Sequence, residues 1–215
     1  MSNLVFLEPN CVKAIPFTTS DVIAEYAKIK HHAVQQMISK HETSLKKFGL
    51  VAFQMRANDT VRGIREEKIY HLNEEQATLL ITFLKNTEPV INFKVELVRQ
   101  FYQMRTELQM RHLERERLKP IRREMTDVIK DIPDHSAWDY KLYTDLIYKL
   151  VTGKNAAQIR KERGASKKAK AIEYMTADEI ESIAKFTNKI GVLLELGHDY
   201  YSVKDILLRK YLKTA

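Results

Sequence analysis

The sequence predicts a mainly α-helical protein with a small β-hairpin component: a winged helix-turn-helix, a long connecting helix and an all-α C-terminal domain. Three observations predict it. Two short helical patterns, at residues 20–26 and 31–41, are separated only by Ala27–Lys30. Two segments of β-type composition, 50–56 and 61–72, follow directly. From Asn73 onward helical periodicity and capping signals dominate.

The elements follow in order. Between Leu4 and Ile15, apolar residues flank the turn-rich "EPNC", which predicts two short strands in a hairpin. Thr18, Thr19 and Ser20 can cap a helix by accepting from its unpaired N–H groups, and Val22, Ile23 and Tyr26 then recur at helical spacing. After the short link, Val34, Met37 and Ile38 resume the period as far as "KKFG", where Gly49 can take a positive φ and stop the chain. "LVAFQMR" and "VRGIREEKIYHL" read as a β-hairpin with a polar tip at 57–60. "NEEQ" at 73–76 resembles a capping box opening a helix to about Leu84, and Thr87 and Pro89 mark the next start. The stripe Ile91, Val95, Val98, Phe101, Tyr102 and Leu108 predicts a long helix that is either intrachain core or a dimer seam. Pro120 is expected to interrupt or kink it, with a domain boundary shortly after. Beyond it, Ser136–Asp139 and Thr176–Glu179 open helices, Gly153 closes one, and Val203–Leu212 forms the last. Trp138, Tyr140, Tyr143 and Tyr148 are expected in the C-terminal core. The domains are therefore placed at 1–90, 91–131 (connecting helix) and 132–215.

Composition narrows the function. The 215 residues, 44% of them hydrophobic, suffice for a buried core. Cys11 is the single cysteine, so no intrachain disulfide forms, which fits a reducing cytoplasm. Neither a leader-like segment at Met1–Pro9 nor an apolar run of membrane-spanning length is found, so no membrane partner is expected. The net charge of +8 favours a polyanionic partner. Residues 28–65 carry eight Lys and Arg against two acids, a net of +6, whereas 66–90 carry two against five, a net of −3. A second basic run, Arg160, Lys161, Arg163, Lys167, Lys168 and Lys170 against Glu162 and Glu173, is a solvated face or a further polyanion contact.

A helix that enters the major groove needs one apolar side for its own core and one polar side for base edges. With Val34, Met37 and Ile38 inward, His31, His32, Gln35, Gln36, Ser39 and Lys40 are expected to face out and read bases, glutamine being suited to adenine N6 and N7. Lys28, Lys30, Lys46 and Lys47, with the wing residues Arg56, Arg62 and Arg65, are the expected phosphate contacts. An enzyme is not expected: the chain has no P-loop, GxGxxG, HExxH or nucleophile-elbow motif. Its histidines (31, 32, 41, 71, 112, 135 and 198) lack ligand spacing, so neither metal nor cofactor is called for.

"TSDVIAEYAKIKHHAVQQMI" and "KIYHLNEEQATLLITFLKNTEPVINFKVELVRQFYQM", within residues 19 to about 107, resemble the Rha family of phage regulatory proteins. The second half, from "YTDLIYKLVTGKNAAQIRKERG" through "MTADEIESIAKF" to "GHDYYSVKDIL", resembles the C-terminal helical domain of phage antirepressor-type proteins. The first resemblance implies DNA binding or prophage control in the cytoplasm of a bacterial host; the second implies an interaction or assembly module. The expectation is a sequence-specific transcription regulator of phage or prophage origin. Its partner is double-stranded DNA, and it acts as a homodimer or higher homo-oligomer. The alternative is an antirepressor that binds and inactivates a phage repressor protein.

Overall fold

The computed structural model describes residues 3–60 and 63–211, and is mainly helical with one small antiparallel sheet. The chain divides into two compact units, Met1–Glu8 with Ala14–Thr106, and Pro9–Lys13 with Glu107–Ala215. The division falls inside one helix, Glu88–Asp131 (α5), which passes through Pro120 without ending. Losing one N–H donor at an exposed position is tolerated when the turns on either side remain bonded.

The first unit begins with a correction. Leu4–Ile15 forms no hairpin: Phe6 makes an isolated bridge with Phe17, and the amides of Leu4 and Val5 donate to Gln100 Oε1 of α5. The first strand, β1, is Phe17–Thr19. Helix α1 (Ser20–Tyr26) follows with Thr19 as N-cap residue, but no side chain there caps it, and Thr18 Oγ1 is buried without a partner. Helix α1 ends in a Schellman motif, with the Ile29 amide donating to Ala24 O at 3.0 Å and the Lys28 amide to Glu25 O at 3.2 Å. Lys28 holds the left-handed position, φ 54°, that glycine usually takes.

Helix α2 (His31–Lys40) stops at His41, and a short α3 (Glu42–Leu45) and a 3-10 turn (Lys46–Phe48) complete the stretch expected as one helix. Gly49, φ 118°, turns the chain into β2 (Ala52–Thr60), which pairs antiparallel with β3 (Gly63–Asn73). The polar tip placed at 57–60 instead extends β2. The sheet order is β1-β3-β2, so β2 is an edge. The expected capping box is present at α4 (Glu74–Thr82), between Asn73 and Gln76. Gln76 does more than the motif requires: only 1% exposed, its Nε2 donates to Gly49 O at 3.0 Å and so clips the 45–50 turn to α4.

Ile23, Val34, Ile38, Leu45, Leu72, Leu80, Leu97 and Phe101 form the centre of the first core. Each such side chain contributes roughly 1.5–3 kcal/mol by leaving water. The face of α5 that enters it carries Val90, Phe93, Leu97 and Phe101, not the expected Ile91, Val95 and Tyr102, which are exposed. The helix has two apolar stripes, and this unit covers one.

The second unit packs α5 from Leu118 onward with α6 (Ala137–Thr152), α7 (Ala156–Glu162), a 3-10 turn (Ala171–Tyr174), α8 (Ala177–Glu195) and α9 (Tyr200–Tyr211). Capping boxes open α6 at Ser136/Asp139, α7 at Asn155/Gln158 and α8 at Thr176/Glu179, and Gly153, φ 73°, closes α6. Tyr143 and Tyr148 are buried as expected, whereas Trp138 is 59% exposed under the Lys141 ammonium, 4.2 Å from its ring. It is the second residue of α6, in the first turn of the helix, whereas Tyr143 and Tyr148 lie further along it.

Arg163, from the second basic run, forms a two-pronged ion pair with Glu179, Nη1–Oε2 2.7 Å and Nη2–Oε1 2.5 Å, and also donates to Tyr174 O. It is therefore a structural residue, unlike the exposed Lys161, Lys167, Lys168 and Lys170. Burial pushes the Glu179 carboxyl up, but the hydrogen bonds from Arg163 and Thr176 and the Arg163 charge outweigh it, leaving it below its ordinary 4.5. A depressed folded-state value contributes stability that is complete above the unfolded value and is lost as pH falls through the folded one. Glu179→Gln should cost about 2 kcal/mol at pH 7, the scale of a charged hydrogen-bonded partner removed from a partly buried site. In urea melts the gap from the parent protein should narrow between pH 4.5 and pH 2, and a gap constant with pH would contradict the assignment.

Candidate nucleic-acid interface

The geometry of the first unit begins with a chain of hydrogen bonds. The Tyr70 amide of β3 donates to Ser20 Oγ of α1 at 3.0 Å, and Ser20 Oγ lies 2.8 Å from His31 Nε2 of α2. His31 Nδ1 is in turn bonded to Glu67 of β3. The two ring nitrogens of His31 are thus both engaged, Nε2 with a hydroxyl and Nδ1 with a carboxylate. One histidine thus ties two helices and the central strand together. Four residues along α2, Gln35 Nε2 donates to Lys68 O at 2.8 Å and repeats the tie.

His31 and Gln35 therefore do not project as expected. His31 has a side chain only 15% exposed, and both residues spend their polar atoms on β3. The cause is rotational: positions 31 and 35 share a helix edge, and β3 packs against it. The connectivity Ser20–His31–Glu67 is that of a hydrolytic triad, but Ser20 is fully buried and its hydroxyl is occupied on both sides, so no substrate carbonyl can reach it.

The remaining outward positions do come together. His32, Gln36, Ser39 and Lys40 are exposed at the i, i+4, i+7 and i+8 spacing of one helical face. Lys28 and Lys30 at the turn before α2, and Lys47 after α3, are also exposed, and among the described residues none of these three nor Lys40 has an ion-pair partner. Lys46 is paired with Glu42 at 2.8 Å, and the Lys46 hydrogen bond and charge hold that carboxyl below its ordinary value.

The hairpin is less basic than its sequence suggests. Its register sets Glu67 opposite Arg56 and Glu66 opposite Ala57. Arg56 also closes an ion pair with Asp21 of α1 at 2.5 Å. Burial pushes the Asp21 carboxyl up, but hydrogen bonds from Thr19 and Arg56 and the Arg56 charge bring it below its ordinary value. Arg56 is thus a strap across α1 and β2. Arg62 lies outside the described residues, and Arg65 is placed only by its backbone, opposite Asn58.

One feature went unread in the sequence. Phe53 and Met55 of β2 are exposed, and the Lys68 ammonium sits 3.9 Å from the Phe53 ring and 4.6 Å from that of Tyr70. This face combines apolar and cationic character beside α2. The period-2 pattern marked one side of the strand as apolar but could not say whether anything would cover it.

The division of roles within α2 is testable. His31→Ala removes the contacts with Ser20 and Glu67 from a half-buried site and should cost about 1–3 kcal/mol in chemical denaturation. His32→Ala should stay within about 0.5 kcal/mol of the parent protein. Equal losses for the two variants would refute the assignment.

Among the described residues no helix is long and apolar enough to cross a membrane. No curated protein matches the chain. A family model described as phage regulatory protein Rha matches residues 18–106. That match ends at Thr106, the residue where the first compact unit ends. The stretch that carries the buried His31 tie and the exposed α2 face is thus similar to the phage regulatory protein Rha family over 18–106, less than half of the chain.

Proposed function

We propose that this protein is a sequence-specific DNA-binding regulator whose first unit works as a winged helix-turn-helix, with α2 in the major groove. The observation that carries this reading is the exposed polar face of α2, flanked by Lys28, Lys30 and Lys47, which have no ion-pair partner among the described residues. Gln36 offers the bidentate amide for an adenine edge, His32 and Ser39 offer further donors and acceptors, and Lys28, Lys30, Lys40 and Lys47 are placed for phosphates. His31 and Gln35 serve as positioning residues that set the angle of this face. Lys28 supports the reading independently: a left-handed backbone position is sterically unfavourable for a non-glycine residue by roughly 1–2 kcal/mol, and a lysine there supplies a charge that glycine cannot.

The exposed stripe of α5 favours a two-fold assembly. Ile91, Val95 and Tyr102 are 46%, 53% and 55% exposed, and with half-buried Val98 they repeat at spacings of four, three and four, the pattern of a coiled-coil seam. A second copy of the same helix has the matching face, and pairing two first units matches two half-sites. The other reading, an antirepressor that captures a phage repressor, draws on exposed Leu50, Phe53 and Met55 along the edge strand β2.

Selection of bound duplexes from a random pool at near-physiological salt tests the first reading directly. Enrichment of a two-fold motif is the expected result. Gln36→Ala should relax one base position, at a cost of about 1–3 kcal/mol. Lys47→Ala should weaken every duplex alike and lower the salt slope by about 1. Unaltered binding in both variants, or capture of a repressor without salt-sensitive retention of any duplex, would overturn it. Val95→Glu should convert the sedimenting dimer to a monomer at micromolar concentration, and a parent protein that is monomeric throughout would remove the seam.

A further inference from the structure

The first unit contains a pocket of about 550 Å³, a size that suits a small ligand. Its apolar part is made by Leu4 and Phe93, 2% and 4% exposed, with Pro89 beside them. On one side stand Tyr26, the last residue of α1, and Lys28 in the turn that follows. On another runs a single edge of α5, where Glu88, Asn92 and Glu96 recur every four residues.

Hydrogen bonds hold the walls in place. Gln100 Oε1 accepts from the Leu4 and Val5 amides at 2.7 and 3.3 Å while its Nε2 donates to Glu96 Oε1 at 2.9 Å, which fixes the N-terminal segment on α5. The Schellman bonds after α1 fix Lys28, whose φ of 54° sets a charged side chain where glycine would set none. Glu96 is also paired with Arg99 at 2.7 Å. The other polar groups are not used up in this way. Among the described residues the side chains of Tyr26, Lys28, Glu88 and Asn92 have neither a hydrogen bond nor an ion pair, so a cation and an acid line one apolar pocket without meeting each other.

We propose that this pocket binds an apolar zwitterion: an amino acid with an aliphatic or aromatic side chain, or a dipeptide of such residues. The Lys28 ammonium matches the ligand carboxylate, the Glu88 carboxylate matches its ammonium, and Leu4, Pro89 and Phe93 take its apolar body out of water. The Asn92 carboxamide and the Tyr26 hydroxyl each offer a donor and an acceptor, the pair of functions that a peptide bond needs. A ligand of one sign would leave either Lys28 or Glu88 unmatched, and a wholly apolar one would leave both. The inference uses only the charge of Lys28 and not the reading of DNA by α2, and its test contains no DNA, so the two fail separately.

That test is calorimetric titration of the full-length protein at about 150 mM salt with phenylalanine and with leucyl-phenylalanine. The controls are N-acetyl-leucyl-phenylalanine amide, which lacks both terminal charges, and glycylglycine, which lacks the apolar body. A saturable one-to-one isotherm is expected for phenylalanine or for the dipeptide, whichever responds identifying the source, and for neither control. Lys28→Gly with Glu88→Gln should weaken it at least tenfold. Glycine adopts the φ at position 28 without strain and Glu88 is exposed and unpaired, so an unchanged or higher melting temperature separates lost binding from lost folding. No saturable heat with either zwitterion, equal affinity in the double variant, or equal binding of either control would overturn the proposal.

Discussion

The hydrogen-bonded chain from Tyr70 through Ser20 and His31 to Glu67 is the constraint on which the first unit depends. Without it, α1 and α2 would be joined by a Schellman turn and apolar packing alone, and packing tolerates rotation better than directed hydrogen bonds do. With it, the rotation of α2 about its own axis is fixed by two polar contacts one turn apart, at His31 and Gln35. The exposed face then follows. With 31 and 35 tied to β3, 34 and 38 in the core and 37 packed against it, the helix has 32, 33, 36, 39 and 40 left to present, and of these all but Ala33 are polar. Polar side chains that look equivalent on a helical wheel thus divide into a set that sets the angle and a set left free at the surface.

The same strand that orients α2 also redistributes charge. In sequence the basic block ends at Arg65 and the acidic block begins at Glu66, so the two appear separate. The antiparallel register folds one onto the other, setting Glu67 beside Arg56 and leaving the unneutralised lysines around α2 and its flanking turns. Screening would weaken any long-range attraction of the hairpin, and a local group of unpaired lysines is what persists at physiological ionic strength. The electrostatic centre of the unit therefore lies on the helix and its flanks.

What could be read from sequence is what depends on neighbours three or four residues away. The capping boxes at Asn73/Gln76, Ser136/Asp139 and Thr176/Glu179, and the left-handed stop at Gly153, are set by local backbone geometry and stand where the sequence puts them. The failures are non-local. Nothing within a turn of His31 marks Glu67, 36 residues away, as its partner. On α5, both Ile91/Val95/Tyr102 and Val90/Phe93/Leu97 satisfy helical periodicity, and only the position of α4 and β3 decides which stripe is covered. Residues 4–15 had apolar flanks and a turn, enough for a hairpin by composition, but Gln100 of α5 takes the Leu4 and Val5 amides instead. The motif search also missed Gln76 as a clip, because a cap needs only one of its polar ends and the motif is silent about the other.

A net charge of +8 describes neither unit well. The first carries lysines on and beside α2 that have no ion-pair partner among the described residues, and the second gathers five carboxylates with two histidines and no lysine or arginine around one pocket. Like charges gathered without compensation repel one another in both places. Opposite strands or helices supply the compensation elsewhere in the chain, as Arg163 does for Glu179 and Asp21 for Arg56. Uncompensated like charge at a defined surface is stabilised when a counter-charge arrives from outside, and on the proposed reading of the first unit phosphates supply it to the lysines around α2.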